Sequence, residues 1–303
     1  MKKLFAIIMA AVLLFSFAAC GSDPEADLSK AYNKYASQYK ANGKGGTLKV
    51  ALSPDFAPME FHDLAKNGND AIVGFDVILA KYLATELDMT LELKPMSFDA
   101  CQAAVQSGTV DIAISGFSWT AEREENYEIT DYYIAGDNET QQSIITTKAN
   151  EGKWTTAEDF KGKKIGYQGA SLQEVLVKSV FGEMSDVDIS GVYSDLGTAV
   201  EALKAGNIDA LAVAHGNGEA IITSAPDAVG FTGYDFEVDP KYENNVCLIQ
   251  KGNTELLNAV NAALDKALAA NLYNDWYNAS KAYSGIATLD ELGFDDQGNK
   301  ITG

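Results

Sequence analysis

The sequence predicts an α/β protein with largely parallel sheets, arranged as two lobes of similar build. From Thr47 onward, apolar runs of strand length alternate with longer segments of helical period. The alternation runs in two series, one starting at Thr47 and one near residue 142. A short stretch also recurs: AVQSGTVDIAI at 104–114 and ALKAGNIDALA at 202–212. Each copy ends an apolar helix on a glycine, Gly108 or Gly206, and opens an apolar strand on an aspartate, Asp111 or Asp209. Glycine at that point suits a helix C-cap.

The elements follow in order. TLKVAL (47–52) reads as a strand. In GFDVILAKYLATELD (74–88), Phe75, Ile78, Leu79, Tyr82, Leu83 and Leu87 fall on one helical face. TLELKP (90–95) is a strand, FDACQAAVQSG (98–108) a helix and VDIAIS (110–115) a strand. The second series has strands at QSIITT (142–147) and KKIGYQ (163–168), helices at 171–182 and 195–205, and a strand at DALAV (209–213). Residues 243–250 read as a further strand. Residues 253–280 are one long amphipathic helix or two shorter ones, and 281–303 a polar C-terminal tail.

The N-terminus differs from the rest. MKKLFAIIMAAVLLFSFAAC has two lysines, an apolar run from Leu4 to Ala19, then Cys20. This is the pattern of a signal peptide over residues 1–19. The run is shorter than the roughly 20 residues of a membrane-spanning helix. Ala18-Ala19-Cys20 resembles the lipobox of bacterial lipoproteins. That resemblance implies lipidation at Cys20 and an extracytoplasmic domain anchored to the bacterial cell membrane. Phe17 departs from the aliphatic residue usual there, and ordinary secretion with a cut elsewhere is the other reading. Residues 20–46 are polar and end in NGKGG; with the lipidated cysteine they read as a tether, carrying a short helix near 28–39.

Composition excludes some functions. Hydrophobic content of 47% and charged content of 22% fit a soluble protein with a real core. The formal net charge of −20 argues against a nucleic-acid partner, whose phosphates would be repelled. Cys101 and Cys247 sit in apolar contexts and read as buried thiols, with a disulfide between them left open. His62 and His215 are the only histidines, and no Cys/His cluster exists to hold zinc. No metal and no cofactor is expected.

One residue stands out. Of 23 basic residues, 22 are lysine and one, Arg123 in ISGFSWTAER, is arginine. Thr120 can cap a helix beginning at Ala121, which puts Arg123 in the first turn, where a cation is disfavoured. The segment before it follows a buried strand, and α/β sheets bind ligands outside the carboxyl ends of strands. An anion there would offset the unfavourable position. A carboxylate takes two parallel hydrogen bonds from a guanidinium, which lysine cannot copy. A surface pair with Glu122, Glu124 or Glu125 is the alternative.

LKVALSPDFAPMEF, IVGFDVILAKYLATEL, SFDACQAAVQSGTVDIAISGFSWTAER and GASLQE together resemble the extracellular solute-binding proteins (family 3) of polar amino acid ABC transporters. The likeness spans roughly residues 47–280. It implies a periplasmic-binding-protein-like fold of type II: two lobes joined by two hinge strands. Lobe 1 would be 47–137 with 240–280, and lobe 2 would be 138–239. It also implies a ligand site. Arg123 matches the clamp of an α-carboxylate, helped by Ser118 and the Gly116 backbone, and Ser115 matches a contact to the ligand's amino end. Phe56 and Phe98 match the two walls that grip the ligand. Ser171 and Leu172 match the hydroxyl and amide that lobe 2 adds on closure.

Departures from the family pattern carry information. Ser53 and Ala214 stand where many members place aspartates, the second of which holds the ligand's ammonium; Ala170 replaces a usual glycine. A buried ammonium without a carboxylate is costly. Asp55 is the nearest substitute in sequence, and His215 could hydrogen-bond a polar ligand group. The implied function is the substrate-binding component of an ABC importer, a non-enzymatic monomer that captures an amino acid or related small carboxylate and delivers it to a membrane permease. A cyclohexadienyl or prephenate dehydratase-like enzyme on the same fold is a second reading, with Glu60, Asp55 or His215 as its acid or base. A ligand-sensing lipoprotein is a third.

Overall fold

The computed structural model describes residues 27–133, 140–242 and 244–301. The expected signal peptide, Cys20 and the lobe boundary at 137/138 lie outside the described residues. The chain folds into two five-stranded sheets, each covered on both faces, and a small three-stranded sheet.

The first sheet has the order β5-β1-β6-β13-β7, with β1 Thr47–Leu52, β5 Thr90–Pro95, β6 Ile112–Ser118, β7 Tyr127–Ile129 and β13 Asn245–Gln250. β1 lies parallel to β5 in register Thr47↔Thr90 through Leu52↔Pro95, and parallel to β6. β13 runs antiparallel to β6. Helix α2 (Phe75–Glu86) packs with Trp276 on one face, and α3 (Phe98–Gln106) covers the other. The second sheet has the order β10-β9-β11-β8-β12, with β8 Gln142–Thr147, β9 Lys164–Gln168, β10 Asp188–Tyr193, β11 Ala210–Ala214 and β12 Val229–Asp235. Again three strands are parallel; β8 runs antiparallel to β11, and β12 antiparallel to β8. The sheets are therefore mixed, because strands that cross between lobes must return against the parallel core. Helices α5 (Leu172–Phe181) and α6 (Leu196–Lys204) cover opposite faces.

The sequence echo marks one structural unit used twice. Gly108 and Gly206 both take left-handed backbone, at φ 71° and 74°, just after their helices. Asp111 Oδ2 accepts from Lys49 N–H at 2.7 Å, and Asp209 Oδ2 accepts from Lys164 N–H at 2.8 Å. In each lobe the aspartate thus pins the start of the neighbouring parallel strand.

Two segments join the lobes. They pair with each other at Tyr133↔Asn245, and Phe236 N–H donates to the Gln142 carbonyl at 2.8 Å. The small sheet comprises β2 (Asp55–Phe56), β3 (Glu60–His62) and β4 (Ile72–Val73). The region read as one or two helices is two, α8 (Thr254–Ala269) and α9 (Leu272–Tyr283), broken where Asn271 turns left-handed at φ 53°. Cys101 and Cys247 are free, buried thiols.

Both ends of the described chain pack on lobe 1. Helix α1 (Ser29–Ala36) falls in the expected tether but buries Ala31, Tyr32 and Ala36. The polar tail buries Leu289 and Phe294 in a cluster with Ala31, Ala279 and Ala282. Lys30 and Lys34 reach the tail at Asp296 and Asn299. The tail's scattered apolar residues were enough for a local core, which its overall polarity hides.

Candidate ligand-binding site

The cleft lies between the sheets, where strands of both lobes end. β6 delivers Gly116 and Ser118 to it and runs into α4 (Ala121–Asn126). The Thr120 hydroxyl caps α4 by accepting from Arg123 N–H at 3.1 Å. Arg123 is only 4% exposed, so it is not the surface residue of the alternative reading. Its Nη1 donates to the Ser118 carbonyl at 2.6 Å, Nη2 to the Ala170 carbonyl at 2.7 Å and Nε to Gln102 Oε1 at 3.3 Å. The rings of Phe98 and Phe117 lie 5.6 and 5.0 Å from its central carbon and stack on each other.

No carboxylate among the described residues forms an ion pair with Arg123, and burial pushes its guanidinium down to about 10. A guanidinium has five N–H groups. Three are engaged, which leaves two, one on each terminal nitrogen. A carboxylate can accept from two such donors.

Lobe 2 closes the cleft with Ser171 and Leu172 at the start of α5, with Gln142, Gln168 and Gln173, and with Leu196, Val213 and Ala214. Asn245 lines it from the second crossing segment. The Leu172 amide, first in its helix, is among the N–H groups that a helix start leaves open. The lobes touch across the cleft through several hydrogen bonds. Asp55 of lobe 1 acts as a latch. Its carboxylate accepts from Leu196 N–H at 2.7 Å and Gln168 Nε2 at 3.1 Å, both in lobe 2, and from Ser53 Oγ at 2.8 Å. Asn217 of lobe 2 donates to the Ala57 carbonyl at 3.2 Å, and Lys281 pairs with Glu219 at 3.5 Å across the back.

Phe56, Phe98, Gly116, Ser118, Arg123, Ser171 and Leu172 all line this one cleft. Gly116 has φ 55°, and a Cβ there would meet the Phe56 ring at 2.5 Å, so the wall and the floor fit only with glycine. Its amide does not face the cleft as expected: it donates to Asp76 Oδ2 at 2.8 Å. Ser115 also lies behind the floor. It is 1% exposed, donates to Glu60 Oε1 and accepts from Ser53 N–H at 3.0 Å. The Ser171 hydroxyl caps α5 and donates to the Gln168 carbonyl at 2.7 Å, which leaves it no proton for a ligand.

His215 is outside the lining. It stacks on Phe231 at 4.4 Å, and its Nδ1 meets Ser143 Oγ at 2.8 Å, which in turn donates to Asp235. It opens helix α7 (His215–Ser224), whose start turns its ring away. Ala170 adopts φ 58°, a strained conformation that places its carbonyl on Arg123. The three glutamines and Asn245 escaped the sequence reading. Neutral amides have no charge signature, and these come from four separate elements, β8, β9, α5 and β13.

Below the floor, Glu60 and Asp76 are fully buried together. Burial first, and then the Asp76 charge, push the Glu60 carboxyl well up. Burial pushes Asp76 up to about 7, against hydrogen bonds from Gly116, Glu60 and Tyr133.

Residues 48–279 match the bacterial extracellular solute-binding proteins, family 3. The chain belongs to this family. This solute-binding protein is 34% identical to the L-cystine-binding protein TcyJ of Escherichia coli (strain K12) over 242 residues, covering 77% of this chain and 84% of that one. It is 28% identical to the arginine-binding extracellular protein ArtP of Bacillus subtilis (strain 168), over 93% of this chain and all of ArtP. The crystal structure of an amino acid ABC transporter substrate-binding protein, AbpA from Streptococcus pneumoniae bound to L-arginine, superimposes with a TM-score of 0.69 at 31% identity. That match covers 82% of this chain and 98% of AbpA. The two-lobed fold implied by the sequence resemblance is therefore the one observed.

Proposed function

We propose that this solute-binding protein captures an amino acid for an ABC importer, holding its α-carboxylate on Arg123. The observation that carries this is a buried guanidinium in the interlobe cleft with two N–H groups uncommitted and no acid paired with it among the described residues. The relatives named for cystine and arginine binding support the ligand class. The open form presents Arg123, Ser118 and the Phe56 and Phe98 walls. Lobe 2 then swings in on the two crossing segments and adds the Leu172 amide, and the closed surface is what a permease reads. A ligand favours closure only by contacting the closed form better than the open one. The lipobox adds a lipid anchor at Cys20, which keeps the protein beside its permease.

Glu60, Asp55 and His215, the groups a dehydratase would need, are each engaged elsewhere: one under the floor, one in the latch and one on Ser143. This favours binding without chemistry. The test is isothermal titration of L-cystine, L-arginine and L-histidine into the protein and its Arg123→Lys variant. The variant should fold and bind more than about tenfold more weakly, at ~1.4 kcal/mol per factor of ten. Unchanged affinity would remove the clamp.

A further inference from the structure

The cleft poses an electrostatic problem. An amino acid brings an ammonium as well as a carboxylate. Among the described residues, the cleft lining contains one charged group, Arg123, and it has the wrong sign. Ser53 and Ala214 cannot supply a charge. Asp55 is outside the lining, with its oxygens committed to Ser53, Gln168 and Leu196. The acid bonded to the floor itself is one layer down: Asp76 accepts from Gly116 N–H at 2.8 Å and from Tyr133 OH at 3.2 Å.

We propose that the buried Glu60–Asp76 pair beneath Gly116 is the counter-charge for the ligand's ammonium, acting through the cleft floor instead of by contact. This rests on the amino acid reading above. The geometry suits the role. Gly116 lines the cleft, its amide donates to Asp76, and the Phe56 ring packs where a side chain on Gly116 would stand. Charges in such a dry setting act over longer distances than in water. The Asp76 charge raises the Glu60 carboxyl while Glu60 lowers Asp76, which favours a single negative charge on the pair, on Asp76. One oxygen of each, Glu60 Oε2 and Asp76 Oδ1, is buried without a well-formed hydrogen bond. The titratable groups that face the pair are Asp55 on β2, Tyr133 on the crossing segment, Cys101 on α3 and Cys247 on β13; none is a cation.

The test pairs each amino acid with its amine-free counterpart in isothermal titration: L-cystine with dithiodipropanoate, L-arginine with guanidinopentanoate and L-histidine with imidazolepropanoate. Asp76→Asn keeps an acceptor for Gly116 and removes the charge. It should weaken the amino acid about tenfold or more and its counterpart less than about twofold, since one factor of ten is a modest electrostatic energy. For the native protein, amino acid affinity should fall as pH drops through about 7, with the counterpart flat. Glu60→Gln, the milder variant, keeps a neutral side-chain donor beside Asp76 and should leave that midpoint near 7. Equal losses for both ligands would make the pair structural and overturn the proposal. A selective loss in Asp55→Asn in place of Asp76→Asn would transfer the role to Asp55. If no amino acid binds the native protein, the reading beneath falls as well.

Discussion

The two lobes share one unit, a helix closed by a left-handed glycine and followed by a strand opened by an aspartate, yet they differ in what they bury. Glu60, Asp76 and Arg123, the acids and bases fully buried among the described residues, all belong to lobe 1. The buried polar residues of lobe 2 are neutral: Gln142, Ser143, Thr146, Gln168, Ser171, Asn217 and Thr232. The divergence begins right after the echoed strand. Lobe 1 continues as GFSWTAER and lobe 2 as AHGNGEAI. Gly116 and Ala214 occupy equivalent places and both line the cleft, but only the lobe 1 segment carries a charge into it. One scaffold therefore serves two tasks. Lobe 1 is preorganised to bind, at the cost of desolvated charge. Lobe 2 supplies neutral amides and a helix start, which can leave and return to the cleft without ionising anything.

The largest test of that division sets a clamp residue against a closing residue. Arg123→Lys should cost more than about tenfold in affinity, whereas Ser171→Ala should cost only about two- to fivefold, because that hydroxyl is spent on its own loop. Equal losses in parallel titrations would mean that lobe 2 contributes as much binding as lobe 1.

Stability should divide in the same way. Asp76 is raised from 3.8 to about 7 by burial. The folded protein therefore holds a proton that the unfolded chain has released between those values. The stability linked to this group is fully present below pH about 4 and lost as pH rises through about 7, at most a few kcal/mol. Urea melts across that range should show the decline in the native protein and a flatter profile in Asp76→Asn. An unchanged slope in the variant would assign the decline to Glu60, which burial also raises, and not to Asp76.

The latch lies between the two tasks. Asp55→Asn keeps one acceptor but weakens a charge-assisted bond to the start of α6, worth about 1 kcal/mol. Small-angle scattering of the ligand-free variant should show a larger radius of gyration, and affinity should drop about fivefold or less. An unchanged radius would show that the other contacts between the lobes, from Gln102, Arg123, Asn217 and Lys281, hold them without it.

The fold was legible in the sequence because it repeats: the echo places its aspartates at the same point in each lobe, where both pin a strand. Arg123 was legible because arginine occurs once. Ser115 and the Gly116 amide were misplaced because a strand shows which residues alternate but not which face meets the cleft. His215 followed from its neighbour Ala214, yet the turn into α7 rotates it onto Phe231. The Glu60–Asp76 pair lies apart in sequence, and nothing local announces that two acids share one buried space.

The smallest predicted effect concerns Ala170, where lobe 2 touches the charge of lobe 1. Its φ of 58° is uncomfortable for a residue with a Cβ, by about 1 kcal/mol. That strain aims the Ala170 carbonyl at Arg123 Nη2 and Gln102 Nε2. Ala170→Gly removes the strain but makes the unfolded chain more flexible, which offsets part of the gain. The net expectation is a rise of about 1–3 °C in melting temperature, with affinity unchanged within about twofold. A lower melting temperature would show that the methyl group has packing worth more than the strain. A higher melting temperature with weaker binding would mean that the rigidity of this turn, and not only its carbonyl, holds the guanidinium ready. Lobe 2 would then share in the preorganisation assigned here to lobe 1 alone.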